Sequence, residues 1–173
     1  MPREGKTVAK SFRVNERALE ALQEEAKRKN ISVNTLVNQL LLDYAEFGRF
    51  VQRVNVMRLS RQTLSEILKG TPEDELVKAA ETAGKGAPEA LISTKWGKIN
   101  SSTVIEFIRD LSSYANLFEY QEKEESGHST ITLMHELGPK WSIFLRHYIG
   151  EAFRAAGVQP KVRTSDRAVI FTL

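Results

Sequence analysis

From Ser11 to Val14 the chain alternates polar and apolar residues, so Phe12 and Val14 point one way and Ser11 and Arg13 the other, as in a strand. The period then lengthens to that of a helix. Asn15 is a good N-cap, Ala18, Leu19, Leu22 and Ala26 recur at helical spacing, and Lys27-Arg28-Lys29 put positive charge in the last turn, where it complements the dipole. Asn30 tolerates the left-handed conformation and ends this helix, with Ile31 tucking back under the turn. Ser32 caps a second helix whose Leu36, Val37, Leu40, Leu41, Tyr44 and Phe47 form a broad apolar stripe. One strand cannot make a sheet, and about fifty residues holding a strand and two helices cannot bury such a stripe alone. The pattern therefore predicts an intertwined dimer. Its strand pairs with the same strand of a second copy, over a shared core of Phe12, Val14, Leu22, Leu36, Val37 and Leu40.

A boundary is expected at Gly48-Arg49, dividing the chain into residues 1–48 and 49–173. Beyond it, Val54 to Leu59 alternates like a short strand, and Ser60 caps a helix closing at Gly70. Thr71-Pro72-Glu73-Asp74 restarts the chain as a capped helix with Pro at its first position, and Ala83-Gly84-Lys85-Gly86-Ala87-Pro88 reads as a turn that breaks it. That stretch lacks the spacing and the Lys-Ser/Thr pair of a P-loop. Lys95-Trp96-Gly97-Lys98 reads as a basic, aromatic loop whose Trp closes over a core.

Thr103 and Glu106 suit a capping box for a helix from Ser102, with Val104, Phe107, Ile108, Leu111 and Tyr114 along one face. Strands from Leu117 to Glu124 and from Thr130 to Leu137 flank a hairpin turn at Ser126-Gly127-His128. Gly138-Pro139 opens an amphipathic helix whose Trp141, Phe144, Leu145, Tyr148, Ile149, Ala152, Phe153 and Ala156 keep the spacing that packing on a sheet requires. Gly157 ends it, and Lys161 to Thr164 and Ala168 to Leu173 make a closing hairpin. Helix, two strands, helix, two strands predicts an α+β domain, an antiparallel sheet with helices packed on one face.

The 173 residues, 41% hydrophobic, allow two small domains with a real core. There are 25 Lys+Arg against 22 Asp+Glu, a net charge of +3. Arg3, Lys6, Lys10 and Arg13 against Glu4 place that whole excess in residues 1–15, where a paired ribbon would concentrate it. The absence of cysteine excludes disulfides and thiolate metal sites and favours an intracellular setting. The polar N-terminus and the lack of any long apolar run point to cytoplasm or nucleoid. His128 falls in a turn, His135 at a strand end and His147 on the polar flank of a helix, a placement in which a metal shared by His135 and His147 is the weaker reading and no cofactor is expected. No nucleophile stands beside a base, no carboxylates pair and no phosphate loop occurs, so an enzyme is not expected.

Residues 7 to 47 resemble the ribbon-helix-helix family, the MetJ/Arc class of β-ribbon DNA readers. The likeness rests on Ser11-Phe12-Arg13-Val14-Asn15-Glu16, on Leu19, Leu22 and Ala26, on Asn30-Ile31-Ser32, and on Leu36, Val37 and Leu40. It implies that the outward strand positions Ala9, Ser11 and Arg13 face base edges in the major groove, and that Ser32, Val33 and Asn34 anchor a phosphate at the start of the second helix. Ala9 has no polar group to read a base, and Lys10 stands where the family usually places an inward apolar residue, so Lys10 is expected to reach a phosphate. Independently of the family, Arg13 can offer two parallel donors to a guanine, and the capped helix start is an anion site. No family resemblance is found for the second half. The layout is similar to a nickel-responsive branch that adds a ferredoxin-like sensor, but the ligands are not.

The expected function is a sequence-specific, dimeric transcriptional regulator, a repressor by the resemblance. Its second domain would sense a small-molecule effector, meet a protein partner, or assemble dimers into tetramers on tandem sites of double-stranded DNA. The alternative is an antitoxin-like interaction protein that autoregulates through the same DNA module. Antitoxin tails tend to be short and disordered until bound, whereas this one has the apolar periodicity of a self-sufficient fold.

Overall fold

Side chains that satisfy the orphan amides of helix starts decide where most helices of this protein begin. In the computed structural model, which describes residues 7–52, 59–125 and 127–173, the chain divides into two compact units, Met1–Ala45 and Glu46–Leu173. In the first unit, α1 spans Glu16–Arg28 and α2 spans Val33–Asp43. The side chain of Asn15 accepts from the amide of Arg17 at 3.0 Å and opens α1. The amide of Ile31 returns to the carbonyl of Ala26 at 3.0 Å and that of Asn30 to Lys27 at 3.1 Å, with Asn30 at φ 54°. That pattern is a Schellman motif, built on asparagine where glycine is usual. Ala26 and Leu36 are buried in this unit.

Residues 7–15 have no regular secondary structure in the single chain, so the strand expected over 11–14 is not formed there. A ladder needs a second strand, and among the described residues this unit supplies none. The strand expected over Val54–Leu59 lies outside the described residues except for Leu59, which has no regular structure.

The second unit begins inside a π-helical turn, Tyr44–Gly48, followed by the short α3, Arg49–Val51. Phe47, assigned by its spacing to the α2 stripe, belongs to this unit's core and stacks on Tyr114 with ring centroids 5.3 Å apart. The division therefore falls a little before Gly48-Arg49. Next come α4, Arg61–Gly70, capped by Ser60 through the amide of Thr63, and α5, Glu73–Trp96. Pro72 is the N-cap residue of α5, not its first helical position.

Helix α5 runs through the segment where a turn was expected, with Gly84 and Pro88 both buried inside it. Packing overrides propensity here. The next helices are α6, Ser101–Ser113, and α7, Pro139–Ala155. Gly84 lets α5 approach α7 closely: a Cβ at position 84 would lie 2.7 Å from the carbonyl oxygen of Tyr148 and 2.9 Å from Cβ of Glu151. Pro88 lacks the amide that would have reached the carbonyl of Gly84, so the two irregular residues fall one turn apart on a helix held by its neighbour. Lys95 and Trp96 form the last turn of α5 in place of the expected loop, and Gly97, at φ 72°, ends it. Helix α6 is capped by Asn100 in a reciprocal box with Thr103, one turn earlier than a Thr103–Glu106 box would place it.

Four strands make one antiparallel sheet in the order β1-β2-β4-β3, with β1 at Glu119–Glu125, β2 at His128–Met134, β3 at Lys161–Thr164 and β4 at Ala168–Thr172. Ile131 pairs with Phe171 and Leu133 with Val169, and these four buried side chains form the inner face. Val104, Phe107, Ile108 and Leu111 of α6 and Leu145, Ile149, Ala152 and Phe153 of α7 complete the core. The alternating residues Thr130, Thr132, Ile170 and Thr172 are only half-buried on the opposite face.

Gly84→Ala should lower the free energy of unfolding by about 1–3 kcal/mol through overpacking, even though alanine is the better helix former by about 1 kcal/mol. Urea denaturation reads the sign, and a stabilised variant would show that α5 and α7 part easily.

Candidate nucleic-acid interface

The start of α2 is the best-defined polar feature of the first unit. Ser32 accepts from the amide of Thr35 at 3.0 Å and shares a 2.8 Å hydrogen bond with the Thr35 hydroxyl. The amides of Val33 and Asn34 have no acceptor among the described residues, so the first turn of α2 presents two N–H donors. At the end of α1, Glu25 pairs with Arg28 at 2.7 Å and with Lys29 at 3.4 Å. The Arg28 guanidinium holds the Glu25 carboxyl down at about 2, so two of the three consecutive basic residues share a partner that is ionised at neutral pH. Less positive charge is therefore presented there than Lys27-Arg28-Lys29 implies.

Ala9, Lys10, Ser11 and Arg13 are all exposed, and one chain does not gather Ala9, Ser11 and Arg13 on a common strand face, since residues 7–15 form no strand. The six residues expected in a dimer core fall into three groups. Leu36 is buried, Leu22 and Val37 are half-buried, and Phe12, Val14 and Leu40 are 69%, 54% and 49% exposed. Leu41, Leu42 and Tyr44 are similarly exposed, so the uncovered apolar surface of α2 is wider than the stripe read from spacing, which omitted Leu42. A run of three leucines wraps more than half of a helix, and periodicity alone does not say how much of that circumference one chain can cover.

The histidines lie elsewhere, in the second unit, and no three His, Asp or Glu side chains come together to hold a metal ion among the described residues. His147 contacts Glu81 at 3.1 Å between α7 and α5, and His128 is exposed. His135 is buried. The Ser142 hydroxyl donates to the carbonyl of Ser165 at 2.6 Å, and a carbonyl can only accept, so the 2.8 Å contact between Ser142 and His135 must be donated by Nε2–H of the imidazole. Nδ1 is then an acceptor, and it has no partner. Sequence reasoning placed His135 at a strand end but had no signal for this network, because Ser142 and Ser165 are distant in the chain. Among the described residues, no helix is long and apolar enough to cross a membrane.

Burial holds the His135 imidazole below its ordinary value of 6.5, so folding favours the neutral ring. Its contribution to stability is full above pH 6.5 and is lost as pH falls through the depressed folded-state value. Denaturation midpoints measured from pH 7.5 down to pH 5 should fall more steeply for the wild type than for His135→Gln, and parallel curves would contradict a buried neutral imidazole. No family model matches this chain, and neither a curated protein nor a solved structure matches it.

Proposed function

We propose that this protein is a sequence-specific DNA-binding transcriptional regulator, a repressor, that acts as a dimer through its first unit. The carrying observation is the set of exposed apolar residues Phe12, Val14, Leu40, Leu41, Leu42 and Tyr44 on a unit whose described residues form two α-helices up to Asp43. Water leaves such surface uncovered only at a cost of about 25 cal/mol per Å², and a second copy of the same segment is complementary to it by symmetry. Pairing of residues 11–14 across the dimer would bury Phe12 and Val14 and turn Ser11 and Arg13, with Ala9, toward base edges in the major groove. Val33 and Asn34 would hold a phosphate oxygen through their amides, with Ser32 as cap and Lys10 as a further phosphate contact. The second unit, with its own core, fits effector sensing or assembly of dimers on tandem sites, and it counts against a tail that folds only on a toxin. A location in the cytoplasm, at the nucleoid, follows from this role, which requires no catalytic group.

Selection of preferred sites from random duplexes tests the proposal and returns half-site spacing, and recovery of no enriched sequence would overturn it. On a selected site, Arg13→Ala should cost about 1–3 kcal/mol and relax preference at one base pair. Ser32→Ala should weaken all sequences alike, and it also removes a cap worth about 1 kcal/mol of stability. Binding by both variants indistinguishable from wild type across a salt titration would reverse these roles.

Leu40→Asp should abolish the dimer and DNA binding together. Sedimentation and a binding assay on the same sample check this, and a folded monomer that still binds DNA would exclude the shared core.

A further inference from the structure

We draw no further inference here: the strongest candidate, the open face of the four-stranded sheet, where Thr130, Thr132, Met134 and Ile170 lie half-buried between the exposed Lys123 of β1 and the exposed Lys161 and Arg163 of β3, carries none, because nothing in the structure shows what covers it.

Discussion

Helix α7 is the member on which the second unit depends, because it is asked to bury surface on two sides at once. Toward the sheet it sets Leu145, Ile149, Ala152 and Phe153 into the core, with the Phe153 and Phe171 rings 5.5 Å apart. Against α5 it leaves room for a glycine and nothing larger at position 84. A helix covered on both sides cannot shift to relieve a clash on either, since interiors are packed to the density of crystals. The same constraint accounts for Pro88, whose missing amide is tolerated because tertiary contact, and not the local ladder, holds α5 in place.

The polar groups buried in this unit are satisfied in pairs and small networks. Lys95 meets Asp110 at 2.7 Å with both side chains nearly buried, and its ammonium lies 4.7 Å from the Trp96 ring centroid. Burial pushes the Asp110 carboxyl up, and Lys95 opposes that shift, as expected for a pair whose desolvation nearly offsets its attraction. On β1, Glu122 would also be raised by burial, but hydrogen bonds from Tyr120 at 2.6 Å and Arg109 at 2.5 Å hold it below the usual carboxylate range. Both clusters fix the orientation of α6, one against the end of α5 and one against the edge strand. The Nδ1 of His135 stands apart from them. It is the one buried side-chain polar atom among the described residues that lacks a partner.

The first unit shows the opposite economy. Its turn and caps are fully formed, down to the left-handed Asn30 and the Ser32 hydroxyl, yet among its described residues only Ala26 and Leu36 are buried. Local hydrogen bonding can be completed within one chain. Leu40, Leu41 and Leu42 of α2 nevertheless stay exposed, and a unit of this size gains little core by itself. That imbalance between finished local structure and unfinished packing is the ground on which pairing with a second copy is proposed.

Sequence alone determined the features that depend on neighbours in the chain. Asn15, Ser32, Ser60, Gly138-Pro139 and Gly157 mark helix ends because capping is settled within a few residues, and the two hairpins of the second unit follow from alternation and turn composition. Tertiary structure decided whatever depends on residues far apart. It carried α5 through Gly84 and Pro88, because the space that glycine leaves is filled by α7. It drew Phe47 into the second core through Tyr114, and it brought Arg61, His135 and Arg167 to one cavity. A one-dimensional pattern records which residues seek burial or a partner, but the identity of that partner is a property of three-dimensional proximity, which no local period encodes.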